Sequence, residues 1–213
     1  MATTDQTEPT TLPIRLRGSP YCYSPISLNS TRLLFLMPSE DKTAPVRCRM
    51  VEYPLQTQTS QGVHPYEALS YTWGSPANPQ PIYVVGSDPG GDEDRWLLVT
   101  PNLHTALLHL RDCSLERVMW VDAVCINQND NDEKGRQVQS MAKIYAMASC
   151  TVVWLGEAAA DSDQALEYIR KASNWTDFGR PPTSDDIEPA VFALLERSWF
   201  QRIWVCGRSY AIA

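Results

Sequence analysis

The sequence predicts an α/β protein in which strands and helices alternate around an at least partly parallel sheet. Apolar, β-type runs alternate with amphipathic stretches through the middle of the chain, and this alternation is typical of layered α/β folds. The 213 residues, of which 43% are hydrophobic, are enough for one large domain. A chain of this size buries a core that needs no disulfide or metal to hold it together.

The first half of the chain is predicted to be mainly β-structure. Residues 31–37 and 46–53 form two strands around a turn rich in Pro, Ser and Asp, and residues 66–73 form a third. Apolar and charged residues alternate in the second strand, which predicts that one of its faces meets water. A short strand at 82–85 leads into the segment 86–94, whose glycines and acids predict a solvated loop or hairpin tip.

The second half of the chain alternates helices with strands. Thr100 and Pro101 mark the start of an amphipathic helix, because threonine caps helices well and proline suits the first helical position. A strand that ends at Asp122 follows, and then a helix from about residue 131. The predicted ranges are helix 102–111, strand 117–122, helix 131–148, strand 151–155, helix 163–171 and helix 188–197.

Charge and composition disfavour several classes of protein. A net charge of −7 argues against binding to the phosphate backbone of nucleic acids. No apolar run approaches the roughly 20 residues that cross a bilayer, and we expect the polar residues 1–22 to be a disordered leader. The 6 cysteines are dispersed without a Cys-x-x-Cys pair, so we expect reduced thiols, no metal site and a cytoplasmic location.

The most informative segment is 117–133, where a β-type run ends in a row of polar side chains. Asp122 closes the run, and Cys125, Asn127 and Gln128 follow it. Because ligands of open α/β sheets bind at the carboxyl ends of strands, Asp122 is either a cleft residue or the cap of the next turn. Cys125 is predicted to be a buried thiol, since none of the 3 histidines is placed to activate it.

Polar side chains continue into the following helix. Asp130 and Glu133 have the spacing of a capping box, so Glu133 is either a capping residue or a functional carboxylate. Gln137 lies one turn later on the same face and would share any ligand of Glu133. The amides of Asn127 and Gln128 suit a turn or the polar edge of a ligand.

A second polar and aromatic group ends the strand at 66–73. Ser70, Tyr71 and Trp73 precede Gly74, which closes the strand. If this strand neighbours the one that ends at Asp122, both groups open onto the same edge of the sheet. The aromatic rings then either pack in the core or offer a face on which a nucleobase stacks.

Three blocks of the chain resemble the motifs of the fungal heterokaryon-incompatibility (HET) domain, in the order and spacing of that family. They are residues 66–74 (YEALSYTWG), residues 120–148, which begin WVDAVCINQ, and residues 198–205 (SWFQRIWV). A weaker match covers 32–38 (RLLFLMP), so the likeness runs from about residue 23 to residue 205.

This resemblance implies an effector or signalling domain of fungal non-self recognition, which triggers regulated cell death by self-association or under a regulatory partner. The family is considered similar in fold to Toll/interleukin-1 receptor (TIR) domains. That implies an open, mostly parallel sheet of TIR-like or flavodoxin-like type, flanked by helices, with extra amino-terminal strands. No cofactor, nucleic acid or membrane is expected to be bound.

The TIR likeness also leaves open that the protein is an enzyme, because some TIR domains cleave NAD. In a nucleotide glycohydrolase, NAD is the substrate and Glu133, or less readily Asp122, stabilises an oxocarbenium-like transition state. The ligand-binding residues expected under either hypothesis are Ser70, Tyr71, Trp73, Asn127, Gln128 and Gln137.

The carboxy terminus departs from the family pattern. After Trp204 and Val205 the family continues toward a Gln-Glu pair, whereas this chain continues from Cys206 without one. We therefore expect a HET-like domain over 23–205 followed by an atypical tail at 206–213. A truncated and inactive remnant is the third alternative.

Overall fold

The computed structural model describes residues 16, 18–55, 64–86, 94–159, 162–173, 187–201 and 210–212. Within these ranges the strands are β1 (Ser30–Leu36), β2 (Arg47–Pro54), β3 (His64–Tyr71), β4 (Gln80–Val84), β5 (Arg95–Val99), β6 (Arg117–Trp120), β7 (Ala148–Trp154) and β8 (Tyr210–Ile212). The helices are α1 (Pro101–Leu110), α2 (Asp122–Cys125), α3 (Asn131–Met147), α4 (Ser162–Ser173) and α5 (Ile187–Leu195).

The strands form one sheet in the order β5-β4-β2-β1-β6-β3-β7-β8. The strands β6, β3, β7 and β8 are mutually parallel, so their carboxyl ends meet at the same end of the sheet. β1 joins this parallel half to the rest by antiparallel pairing with both β6 and β2. β4 then pairs parallel with β2, and β5 antiparallel with β4.

The α/β class is therefore confirmed, and β1 and β2 precede the parallel strands in the chain, but the sheet is mixed. The prediction of a mostly parallel sheet holds only for the half formed by β6, β3, β7 and β8. Antiparallel strands need no long crossover connection, so the chain between β1 and β2 and between β4 and β5 is long enough for such pairing.

Helix α1 forms as predicted to within one residue at each end. Thr100 Oγ1 accepts the backbone N–H of Leu103 at 3.4 Å, and Pro101 occupies the first helical position. The buried face of the helix consists of Leu103, Ala106, Leu107 and Leu110. These residues join the main core beneath the sheet.

Helix α3 is anchored to β3 by two phenol groups. The hydroxyl of Tyr66 donates to the carbonyl of Ile144 at 2.6 Å, and that of Tyr145 donates to the carbonyl of Leu69 at 2.9 Å. The Tyr145 ring also meets the Trp120 ring edge to face, with 5.5 Å between the centroids. The helix that carries Glu133 therefore has a fixed position relative to the parallel strands.

Several boundaries differ from the predictions. β6 ends at Trp120 because residues 122–125 turn into the short helix α2. Within the predicted leader, the N–H of Tyr21 donates to the carbonyl of Trp96 at 2.8 Å, so ordered contacts begin before residue 23. Within the predicted tail, β8 pairs with β7 and belongs to the sheet. These pairings join residues far apart in the chain, which local composition does not reveal.

Two apolar clusters support the sheet. The main core contains Trp120, Met119 and Leu34, each fully enclosed. A smaller cluster under α4 and α5 consists of Val153, Leu155, Ala165, Ala190, Leu194 and Trp199. None of the helices in the described part of the chain is long and apolar enough to cross a membrane.

Candidate functional site

Side chains from three distant segments meet at the carboxyl ends of the parallel strands. Trp73 follows β3, and its indole N–H donates to Asp122 Oδ2 at 3.0 Å. Asp122 follows β6 and is half-buried, and its Oδ1 accepts the backbone N–H of Ala123 at 2.7 Å. Trp73 is 42% exposed, so this pair lies at the surface of the molecule.

The third segment follows α5. The indole N–H of Trp199 donates to Ser70 Oγ at 3.0 Å, and Ser198 Oγ lies 3.4 Å from Thr72 Oγ1. We call Ser70, Trp73, Asp122, Ser198 and Trp199 the strand-end cluster. Its members come from β3, from the turns after β3 and β6, and from the segment after α5.

The turn that carries Asp122 is braced by its own neighbours. Gln128 Nε2 donates to the carbonyl of Asp122 at 3.0 Å, and Asn127 Oδ1 accepts the N–H of Asn129 at 3.2 Å. Both amides therefore form hydrogen bonds within the turn. This corresponds to the first of the two alternatives given for them, a turn or the polar edge of a ligand. The buried Oε1 of Gln128 has no hydrogen-bond partner among the residues that the structure describes.

Glu133 lies in a different environment, enclosed in the protein and 3% exposed. Its carboxylate faces the guanidinium of Arg32, with distances of 2.5 Å from Nη1 to Oε1 and 2.9 Å from Nη2 to Oε2. The N–H of Asn127 also donates to Oε1 at 2.8 Å. Burial raises the pKa of Glu133, but the hydrogen bonds from Arg32 and Asn127 outweigh burial and hold the pKa below its ordinary value.

Arg32 is itself buried and fully engaged. Its Nη2 donates to the carbonyl of Ser24 at 2.6 Å, and its Nη1 donates to the carbonyl of Cys125 at 3.2 Å. The Tyr23 ring covers it, with 4.9 Å from Arg32 Cζ to the ring centroid. The Tyr23 hydroxyl donates to the carbonyl of Val124 at 2.8 Å. Arg32 and Tyr23 thus hold α2 from its buried side.

Gln137 completes the enclosed group. It is 4% exposed, and its Nε2 donates to the carbonyl of Ser30 at 2.7 Å. We call Tyr23, Arg32, Glu133 and Gln137 the buried ion-pair cluster. The polar atoms of this cluster face β1 and α2, so the geometry favours the structural interpretation of Glu133 and Gln137 over the functional one.

Two further candidates lie in the core. Tyr71 is 2% exposed and packs in the main apolar cluster. Cys125 is fully enclosed, and burial is the main reason that its pKa is raised to about 12. The thiol is therefore protonated at neutral pH, as expected of an inert cysteine.

The structure brings together only part of the predicted site. Trp73 contacts Asp122, whose carbonyl accepts from Gln128, whereas Ser70 contacts Trp199 instead. Sequence reasoning did not assign Trp199 or Arg32 to any site. A charged residue in β1, directly before the apolar residues 33–36, was a signal that Arg32 is buried with a partner.

The described part of the chain contains no group of three or more His, Cys, Asp or Glu side chains arranged to hold a metal ion. The third family-like block is described only as far as Gln201, so residues 202–205 and Cys206 lie outside the described residues. The polar groups of the strand-end cluster are one carboxylate, two hydroxyl groups and two indoles.

Comparison with known proteins identifies the family. The sequence model of the heterokaryon incompatibility protein (HET) family matches residues 66–207, which is more than half of the 213 residues. The chain is 28% identical to heterokaryon incompatibility protein 6, OR allele, of Neurospora crassa over 230 aligned positions, which cover 88% of this chain and 33% of that relative. It thus spans about a third of the relative's length, and no solved structure matches it. The chain belongs to the heterokaryon incompatibility (HET) protein family.

Proposed function

We propose that this chain is an effector domain of fungal heterokaryon incompatibility and that it triggers regulated cell death through the strand-end cluster. The name of the Neurospora relative supports the role in incompatibility. Because the chain spans about a third of that relative, the proposal concerns the domain and not the whole relative.

One observation carries this proposal. The three family-like blocks are far apart in the sequence, yet Trp73 of the first contacts Asp122 of the second, and Ser70 of the first contacts Trp199 of the third. Packing of the core does not require an exposed indole bound to a carboxylate. The carboxyl ends of parallel strands are, in contrast, where open α/β sheets bind their ligands.

The strand order supports the finer proposal of a TIR-like or flavodoxin-like fold for the parallel half. The parallel strands occur in the chain as β3, β6, β7 and β8, with β4 and β5 between β3 and β6, and their spatial order is β6-β3-β7-β8. When these four strands are numbered by their order in the chain, they lie in the order 2-1-3-4. This agrees with the first four strands of the flavodoxin-like order 2-1-3-4-5. The switch point of such a sheet lies between its first and third strands, which are β3 and β7 here.

Inducible expression in a fungal host, with growth arrest as the readout, tests the proposal. Asp122→Asn removes the charge, and Trp73→Phe removes the indole N–H while keeping an aromatic ring. We expect both variants to lose growth arrest at wild-type levels of folded protein. Glu116→Gln is the matched control, because it makes the same change to a surface carboxylate that pairs with Arg49. Full growth arrest in Asp122→Asn and Trp73→Phe would refute the role of the cluster.

Self-association is the trigger that we propose for this effector. Fusion of the domain to a chemically inducible dimeriser tests it, because proximity then replaces the unknown regulatory partner. We expect growth arrest at a lower expression level when the dimeriser is added. Growth arrest that is independent of the dimeriser at every expression level would count against self-association.

A nucleotide glycohydrolase is the second candidate, favoured by the half-buried carboxylate of Asp122 beside the exposed face of Trp73. Catalysis of this type needs a carboxylate near the anomeric carbon of the sugar. Both oxygens of Glu133 are bound to Arg32 inside the protein, so this geometry favours Asp122 over Glu133.

NAD consumption by purified protein tests this candidate. Turnover that disappears in Asp122→Asn but persists in folded Glu133→Gln would support an enzyme with Asp122 in the catalytic role. Folded protein that shows growth arrest without turnover would support the signalling module. Neither activity from folded protein would support an inactive remnant.

A further inference from the structure

Asn102, in the first turn of α1, connects the carboxyl ends of two neighbouring parallel strands. Its Nδ2 donates to the carbonyl of Thr72, just after β3, at 2.5 Å. Its Oδ1 accepts the indole N–H of Trp154, the last residue of β7, at 3.0 Å. One amide group therefore satisfies an acceptor on one strand end and a donor on the next.

Asn102 also limits the turn that follows β3. Gly74 has a φ of +72°, and a Cβ added to it would lie 3.2 Å from the Cβ of Asn102. Trp73 stands between Thr72 and Gly74, so Asn102 bonds to the carbonyl just before it and lies beside the position just after it, where an added Cβ would be crowded. Asn102 therefore constrains the turn from Thr72 to Gly74 that carries Trp73.

Helix α1 does not need this side chain for its own stability. Thr100 supplies the N-cap, and the helix buries Leu103, Ala106, Leu107 and Leu110. Asparagine is a modest helix former inside a helix, because its amide competes for backbone hydrogen bonds. The contacts that Asn102 makes all lie outside the helix, which indicates a role at the strand ends.

We propose that Asn102 is a positioning residue that holds the Trp73 indole N–H against Asp122. The inference rests on the strand-end cluster of the proposed function, but the positioning is a geometric property that can be measured without any activity. Asn102 acts through the turn from Thr72 to Gly74 and has no direct contact with Asp122 in this argument. Loss of the Thr72 hydrogen bond then frees Trp73, whereas loss of the Trp154 hydrogen bond alone does not.

Two substitutions separate these contacts. Asn102→Asp keeps an oxygen that accepts from Trp154, and a carboxylate in the first turn of a helix is favourable. Its second oxygen replaces the donor to Thr72 and repels that carbonyl. Asn102→Ala removes both hydrogen bonds. Thr100→Ala is the control, because it weakens the N-cap of the same helix without removing a hydrogen bond to the end of β3 or β7, and it should lower the Tm by about 2–4 °C.

The indole N–H signals in a ¹⁵N-resolved proton spectrum report the result directly, with Trp73 and Trp154 assigned through Trp73→Phe and Trp154→Phe. In Asn102→Asp we expect the Trp73 signal to shift and its N–H to exchange with solvent about 2- to 10-fold faster, while the Trp154 signal stays in place. In Asn102→Ala both signals should move. Thr100→Ala should leave the Trp73 signal unchanged.

An unchanged Trp73 signal in Asn102→Asp and Asn102→Ala would overturn the inference, and so would an equal change in Thr100→Ala. Growth arrest is the second readout, and Asn102→Asp should lose it at wild-type levels of folded protein. If Asp122→Asn retains growth arrest, the proposed function fails, and the indole spectra still decide whether Asn102 positions Trp73.

Discussion

Two acidic side chains only eleven positions apart, Asp122 and Glu133, lie in opposite environments. Glu133 is enclosed, is paired with Arg32 and accepts a further hydrogen bond from Asn127. Asp122 is half-buried at the end of the parallel strands and accepts a hydrogen bond from a partly exposed tryptophan. The buried ion-pair cluster therefore holds the turn after β6 in place. Asp122 lies on this turn and belongs to the strand-end cluster.

Under the proposed function, this contrast divides the polar residues of one segment between stability and recognition. An enclosed carboxylate that already has a guanidinium partner is costly to move and cannot reach a ligand. The carboxylate of Asp122, in contrast, is half-buried and lies beside the partly exposed indole of Trp73. The two clusters meet at α2, because Arg32 and Tyr23 bind the carbonyl groups of Cys125 and Val124.

The largest effect that we predict is on the stability of Glu133→Gln. The substitution leaves Arg32 buried without a counter-charge, and loss of one partner from a buried ion pair costs about 3–5 kcal/mol. The free energy of unfolding from a urea titration should fall by that amount. In the control Glu116→Gln, which breaks an exposed pair with Arg49, the loss should not exceed about 1 kcal/mol. Equal losses in the two variants would contradict the comparison.

The second prediction concerns pH. The folded-state pKa of Glu133 is lowered, because the hydrogen bonds from Arg32 and Asn127 outweigh burial, which by itself raises it. The stabilising contribution of such a group is complete above the unfolded-state pKa of about 4.3 and is lost as the pH falls through the folded-state pKa. Unfolding free energies of the wild type and Glu133→Gln should thus differ by a constant amount from pH 7 to about pH 5 and converge below about pH 4. Convergence that begins near pH 6 would show that the pKa of Glu133 is raised.

The third prediction concerns the start of α3. Asp130 accepts the backbone N–H groups of Asp132 and Glu133 at 3.0 and 2.9 Å, so Asp130→Ala should cost about 1 kcal/mol. Asp130→Asn keeps an N-cap oxygen and should recover most of this loss in the same urea titration. If Asp130→Ala and Asp130→Asn lose the same free energy of unfolding, the cap does not contribute to the position of Glu133.

The smallest predicted effect is the coupling between Trp73 and Asp122. Their hydrogen bond lies at the surface, so a double-mutant cycle with Trp73→Phe and Asp122→Asn should give a coupling energy below about 1 kcal/mol. A cycle with Arg32→Met and Glu133→Gln should give a clearly larger value. A coupling in the strand-end cluster as large as that of the buried pair would make the cluster a structural element.

Local signals in the sequence predicted α1 and α3 well. Thr100 and Pro101 define the start of α1, and Asp130 caps α3, although Glu133 accepts the N–H of Asn127 and not that of Asp130. The pairing of β8 with β7 and the contact of Tyr21 with β5 were missed, because both depend on residues more than fifty positions apart. No local pattern distinguishes such a pairing from a tail or a leader.

The candidate site could be predicted only in part. The contact of Trp73 with Asp122 followed from the rule that parallel strands end at the same side of the sheet. The role of Glu133 could not be predicted from the sequence, because a capping carboxylate and a catalytic one have the same sequence signature. Its partner Arg32 lies 101 positions away, and only the fold brings them together.

Growth arrest per folded molecule, compared between Asp122→Asn and Glu133→Gln, tests the central claim most directly. Folded protein is measured by thermal shift in the same cells, at a temperature low enough for Glu133→Gln to remain folded. We predict that Asp122→Asn is fully folded and inactive, and that Glu133→Gln is less stable but as active per folded molecule as the wild type. A folded Glu133→Gln without activity, beside an active Asp122→Asn, would contradict the account.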